Sequence, residues 1–240
     1  MASLDQMSIV LHRPRSLDNV GAVARLVKNF GLGRLWLVDP HSYSFDRAHK
    51  LAVGAEEVVD QVFVERDLPT ALGAFTYSVG TSSRELRGRR SLHPSEVAER
   101  LAAQGGTCAL VFGEEKRGLS DDELACCQEV CRIPSAAAQP SLNLAQACAV
   151  LAYAVAGAPA PPAPRAPAAS QAQLWALRAR LGEALVPADF VNPQAPERIL
   201  AELLRPLERA QLTPRELELW SNALRKVALA LARGGERRGP

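Results

Sequence analysis

The sequence has little net charge of either sign. Its 28 lysines and arginines nearly balance 26 aspartates and glutamates, leaving +2. A uniformly basic nucleic-acid surface is thereby excluded, and any such footprint must come from local clustering. No apolar run approaches the roughly 20 residues of a membrane helix. Met1–Gln6 lacks the charged-then-apolar layout of a secretory signal. The five cysteines contain no Cys-x-x-Cys pair, and crowded Cys126, Cys127 and Cys131 have no histidine cluster beside them. That spacing argues against a disulfide framework and a zinc site. A cytoplasmic protein with no membrane partner and no metal is expected. Gly-x-Gly-x-x-Gly is also missing, and Leu119 stands where a Walker A loop starting at Gly113 would need lysine. Dinucleotide and P-loop enzymes are therefore poor fits.

What is present is an alternation of short apolar runs with helical patterns, the mark of a mainly parallel sheet covered by helices. The 240 residues suffice for one sizeable α/β domain and a small appendage. Strands are predicted at Ser8–His12, Leu35–Asp39, Gln61–Val64, Phe75–Val79, Thr107–Phe112 and Val130–Ile133. Val20, Val23, Val27 and Phe30 form an apolar helical stripe that Gly31 can terminate. A last helix of this part is expected from Leu142 to Ala156, with Ser141 as its N-cap. Residues 157–170 hold five prolines and many alanines, the composition of an extended linker. The pattern beyond is helical, with segments at Gln171–Leu185, Pro196–Arg209 and Pro214–Ala232; Thr213 and Glu216 suit a capping box. The domains read as 1–156, a linker over 157–170, and a helical extension over 171–240.

Four segments could carry chemistry, since ligands of open α/β sheets bind at the carboxyl ends of strands. Asn19-Val-Gly-Ala-Val-Ala-Arg25 opens a helix after the first strand, where free backbone N–H groups favour anions. Arg25 lies off the apolar stripe, as a solvated arginine also would. Phe112-Gly-Glu-Glu-Lys-Arg-Gly-Leu119 is a glycine-bounded loop whose backbone could approach a flat ligand, or a plain connection. Ile133 to Asn143 joins a strand end to a helix start. Gly80 to Arg90 contains Arg84, Arg87, Arg89 and Arg90, the densest basic patch of the chain. Such a loop suits a phosphate backbone, and equally a solvated surface.

In this order and spacing the segments resemble the motifs of SPOUT-superfamily RNA ribose 2′-O-methyltransferases, in the TrmH/TrmJ branch. Asn19-x-Gly-Ala-x-Ala-Arg25 is similar to the first motif, Leu110–Leu119 to the second and Ser141-Leu-Asn-Leu-Ala145 to the third. Val79-Gly-Thr-Ser82 matches a further segment. Phe190-Val-Asn-Pro and Glu216-Leu-Glu-Leu-Trp resemble the helical extension of the TrmJ-type enzymes. Glu114 departs from the pattern, which has arginine there, and the proline-rich linker is unmatched.

The resemblance implies an α/β SPOUT-type parallel sheet with helices on both faces and a C-terminal deep trefoil knot, plus a small all-helical extension. It implies S-adenosylmethionine as methyl donor, bound by Thr81, Ser82, Ser83, Gly113, Gly118, Leu119, Ile133, Pro140, Ser141 and Leu142. It further implies a homodimer acting on tRNA, with the anticodon-loop ribose at position 32 as target. Arg25 would bind the target phosphate and stabilise the developing alkoxide, facing the donor of the other subunit. Asn19, Ser141 and Asn143 would assist as positioning groups. Arg13, Arg15, Arg84, Arg87, Arg89 and Arg90 would hold RNA phosphates. The alternatives are a ribosomal-RNA 2′-O-methyltransferase of the same superfamily and a catalytically silent RNA-binding relative.

Overall fold

The computed structural model describes residues 4–86, 88–104, 106–158, 168–192 and 194–236, the side chains of 233–236 excepted. Arg87 and residues 159–167 of the proline-rich stretch lie outside the described residues. The chain divides into two compact units, 1–165 and 166–240.

All six anticipated strands form in the first unit. They are β1 (Met7–His12), β2 (Leu35–Val38), β3 (Phe63–Glu65), β4 (Tyr77–Thr81), β5 (Cys108–Phe112) and β6 (Glu129–Cys131). They make one sheet in the order β3-β2-β1-β5-β4-β6, and every pairing is parallel. Parallel neighbours need crossover connections, which helices supply. These are α1 (Leu17–Phe30), α2 (Asp46–Leu51), α3 (Glu56–Asp60), α4 (Leu68–Leu72), α5 (Pro94–Ala102), α6 (Asp121–Ala125) and α7 (Leu144–Ala156).

Every residue of the central strands β1 and β5 is buried, so both sheet faces are covered. Met7, Ile9, Leu11, Leu110 and Val79 enter a core shared with Val20, Val23 and Val27 of α1, Val97 of α5 and Leu151 of α7. Gly80, next along β4, points to the opposite face, against Leu119, Leu124 and Cys127.

Local hydrogen bonds explain where boundaries differ from expectation. β3 begins at Phe63 rather than Gln61, because the Gln61 N–H closes α3 by donating to Glu57 O. β4 begins at Tyr77 because the Phe75 N–H is spent on Leu72 O. The predicted Ser141 cap is incorrect: Asn143 caps α7, its side-chain oxygen accepting from Ala145 N at 2.9 Å and Gln146 N at 3.3 Å. Ser141 lies two residues upstream, in the approach loop.

β6 is held on both sides by one loop. Ser82 N donates to Cys131 O, while Leu92 N donates to Val130 O and Arg132 N to Leu92 O. Residues 82 and 92 are the two stems of the loop carrying the arginine cluster, and β6 passes between them.

The second unit contains α8 (Gln171–Leu185), α9 (Pro196–Ala210) and α10 (Pro214–Glu236). Leu174, Leu177, Leu181, Leu200, Leu204 and Leu217 form its core. The Thr213–Glu216 capping box is present, with Thr213 N to Glu216 Oε2 at 2.8 Å and Glu216 N to Thr213 Oγ1 at 3.3 Å. Among the described residues, no helix is long and apolar enough to cross a membrane. Among them too, no group of three or more His, Cys, Asp or Glu is placed to hold a metal ion.

Candidate active site

The carboxyl ends of β4, β5 and β6 converge on a cavity of about 320 Å³, within the range of small-molecule sites. All ten residues expected to bind the donor line it: Thr81 at the end of β4 with Ser82 and Ser83 beyond it, Gly113, Gly118 and Leu119 after β5, and Ile133, Pro140, Ser141 and Leu142 after β6. Three loops separate in sequence therefore build one wall each. The β5 loop is drawn tight by Gly118 N donating to Glu114 O at 2.8 Å. A Cβ on Gly113 would lie 2.2 Å from Gly118 C and 2.3 Å from Leu119 N, so only glycine admits this fold-back. Gly118 adopts φ +67°, in the left-handed region. The β6 loop is closed by Ser135 Oγ donating to Pro140 O at 2.7 Å.

Asn19, which does not line the cavity, is tied to it through Glu115. Its Oε2 accepts from Arg15 N at 3.0 Å, and its Oε1 from Ser16 N at 2.9 Å and Asn19 Nδ2 at 3.0 Å. Burial pushes this carboxyl's pKa up, but the hydrogen bonds from Arg15, Asn19 and Ser16 outweigh it and hold it below the usual range. Asn143 Nδ2 donates to Asn19 Oδ1 at 3.1 Å. One relay thus joins the β5 loop, the start of α1 and the cap of α7, bringing Asn19 and Asn143 together beside Ser141. Nothing local marks Glu115 for this role, since its partners lie 96 to 100 residues away.

The arginines divide into two groups. Arg84, Arg89 and Arg90 are engaged within the fold. Arg84 Nη2 donates to Leu119 O and Asp121 Oδ1, both at 3.0 Å. Arg89 donates to Leu124 O in the last turn of α6 and to Cys127 O just beyond it, and Arg90 pairs with Glu96. These contacts give the basic loop a structural reason for its charge. Arg13 sits at φ +55° with its Nε 3.3 Å from Asp39 Oδ2. By contrast Arg25 is exposed on α1, lines no part of its own chain's cavity, and pairs with no carboxylate among the described residues.

Side chains not among the expected donor-binding residues also line the cavity, among them Glu114, Lys116, Arg117 and Cys131. Burial pushes the Cys131 thiol's pKa up to about 12. It therefore stays protonated near neutral pH and is no candidate nucleophile. His12, at the end of β1, is buried with its Nδ1 3.4 Å from Glu123 Oε1. Burial lowers its pKa, while Glu123 opposes that shift.

Comparison with known proteins places these features in a family. Residues 6–153 match the SpoU rRNA Methylase family. The tRNA (cytidine/uridine/adenosine-2′-O-)-methyltransferase TrmJ of Pseudomonas aeruginosa is 33% identical over 251 residues, covering 95% of this chain and 97% of that protein. Among solved structures, TrmJ from Z. mobilis ZM4 superposes with a TM-score of 0.78 at 27% identity, over 92% of this chain and 98% of that one. A structure described as giving insights into the 2-OH methylation of C/U34 on tRNA superposes with a TM-score of 0.52 at 27% identity, over 62% and 93% of the two chains.

Proposed function

This chain belongs to the SpoU methylase family, and on that premise we propose that it transfers a methyl group from S-adenosylmethionine to a ribose 2′-hydroxyl of tRNA. The observation that carries the reading is the cavity at the ends of β4, β5 and β6, to which three separate motifs each contribute one wall. Close-packed backbone around Gly113 and Gly118 fits a ligand held largely by main-chain groups. The bound donor would supply an electrophilic methyl on a sulfonium, a good leaving group. The chain's own task is then to align a weakly acidic alcohol and stabilise its developing charge.

Arg25 is assigned the phosphate beside the target ribose and the developing alkoxide. Its guanidinium keeps its proton at any ordinary pH, so it acts as a fork of donors rather than as a base. Asn19, fixed between Glu115 and Asn143, positions the start of α1, and Ser141 offers a hydroxyl at the cavity wall. Arg25 stands clear of its own chain's cavity, which supports a site completed by a second copy in a homodimer. The exposed Tyr153 and Val150 of α7 give such a pairing an apolar surface. β6 running between the stems of the 82–92 loop supports the knotted threading that the family resemblance implies. The target is assigned to position 32 of the anticodon loop, and the site of action to the cytoplasm.

The test is methyl transfer from labelled donor to bulk tRNA, with products mapped to the nucleotide. Label at position 32 is expected; label at 34 alone would move the target within the loop, and label in rRNA alone would overturn the tRNA assignment. Mixing Arg25→Ala with the donor-pocket variant Gly113→Val, each inactive alone, tests the shared site. Random pairing of copies would restore about a quarter of the sites. No restoration would place Arg25 in the same chain's site.

A further inference from the structure

Glu114 is a carboxylate whose side chain is only 4% exposed, standing between two guanidiniums that are 45% and 73% exposed. Its Oε1 lies 3.5 Å from Arg15 Nε and 3.4 Å from Arg117 Nε, and its Oε2 lies 4.0 Å from His41 Nε2. Glu114 and Arg117 are themselves part of the cavity wall. Both arginines approach the carboxylate most closely through Nε. Among the described residues, neither side chain donates a hydrogen bond of normal geometry. One buried negative charge thus holds two converging positive ones, leaving donors available to a further anion. The neighbouring Glu115 carboxylate forms no ion pair with either guanidinium among the described residues; its hydrogen bonds come from two backbone N–H groups and the Asn19 amide.

From this geometry we infer that Arg15 and Arg117 form a clamp for one RNA phosphodiester at the edge of the donor cavity, with the buried Glu114 as the residue that positions both. A planar guanidinium offers paired donors matched to phosphate oxygens, and two held by a common anchor lose less freedom on binding. Arg84 and Arg89 already donate to main-chain carbonyls, which leaves them fewer donors for such a role than Arg15 or Arg117. The inference rests on the tRNA reading above.

Binding of tRNA is measured without methyl donor across a salt series, for the full chain and for Arg15→Ala, Arg117→Ala and the double variant. Each single variant is expected to weaken binding about tenfold and to lower the salt slope by about 0.7–0.9, the share of one phosphate. The double variant should lose no more, because both grip one group. Slopes unchanged in the single variants, or losses that add fully in the double, overturn the clamp. A fall in donor affinity with tRNA binding unchanged would assign the anion to the donor's carboxylate and equally overturn it. Glu114→Gln then isolates positioning: it adds one net positive charge at the site, yet tRNA binding should weaken about tenfold, because the two guanidiniums lose their common anchor. Binding unchanged or tightened in a folded Glu114→Gln variant overturns the positioning role. Since binding is read without turnover, a chain that binds tRNA but transfers no methyl would defeat the functional reading while leaving the clamp measurable.

Discussion

Removal of the Glu115 carboxylate should loosen the site and the N-terminal unit together, by an amount that depends on the replacement. The carboxylate accepts three hydrogen bonds, two on Oε1 and one on Oε2. A hydrogen bond to a charged group contributes about 1.5–3 kcal/mol net, and partial exposure of the site lets water recover some of it. In Glu115→Gln the amide oxygen can keep the Oε1 position and its bonds to Ser16 N and Asn19 Nδ2. Its NH₂ then faces the Arg15 N–H, and the remaining bonds lose their charge, for a cost of about 2 kcal/mol. Glu115→Ala loses all three and leaves the donors to solvent, for about 3–4 kcal/mol. At roughly 2–4 °C per kcal/mol for a unit of this size, melting should fall by about 4–8 °C and 6–16 °C respectively. The assay is thermal unfolding of the full chain followed by near-ultraviolet dichroism, with methyl transfer measured on the same samples. Activity should fall in the same order, because the hold of residue 115 on Asn19 is weakened in the first variant and lost in the second. Two variants within about 1 °C of the parent would refute the claim that Glu115 organises the site.

Gly113→Ala should abolish donor binding in calorimetry, because the added Cβ would press on the Gly118–Leu119 backbone at 2.2–2.3 Å and overpacking of this kind costs about 1–3 kcal/mol. Asn143→Asp should keep the helix cap but lose the donor to Asn19, lowering methyl transfer with little change in melting temperature; Asn143→Ala should lose both, with about 1 kcal/mol of stability. Arg89→Ala should destabilise by about 1–2 kcal/mol, freeing the carbonyls of Leu124 and Cys127, while leaving the salt slope of tRNA binding unchanged. Acid should weaken the fold in two stages. His12 has a lowered pKa, so below its ordinary 6.5 the unfolded chain gains a proton that the folded chain does not, and stability falls with pH from there. Glu115, also lowered, contributes stability above the ordinary 4.5 that is lost as pH drops through its folded value. Melting temperatures taken from pH 8 to 3 should show His12→Gln removing the upper stage alone.

The elements were legible where burial imposes a period. Six apolar runs became six strands, and the Val20–Val23–Val27 stripe with its Gly31 stop became α1, capped at φ +64°. The cavity wall was legible through the motifs, since the ten residues they single out lie on the loops that end β4, β5 and β6 and line one cavity. Pairings across long sequence distances were not. Glu115 reads as a charged loop residue until the fold brings it to Arg15, Ser16 and Asn19. Arg89 reads as part of a basic patch because the carbonyls it meets, at 124 and 127, leave no trace in side-chain identity. Ser141 and Asn143 are both good caps by type, and only the backbone direction entering α7 decides between them. Arg25 reads the same whether solvated or functional, because its environment depends on what meets α1.

The two borders of the sheet differ in what they leave open to another strand. At β6 the outer side is already taken by the Leu92 segment, through Leu92 N to Val130 O at 2.7 Å and Arg132 N to Leu92 O at 3.0 Å. At β3 the border is three residues long, with Phe63 stacked on Trp36 and Arg34 lying over the Phe63 ring at 4.9 Å. Short or covered borders resist templated growth of the sheet and the aggregation that follows from it. A second copy joining by strand addition would find at most three residues to pair with, whereas the outer faces of α1 and α7 run for 14 and 13 residues. Any association between copies is thereby directed onto helices, and the sheet stays a closed unit within each chain.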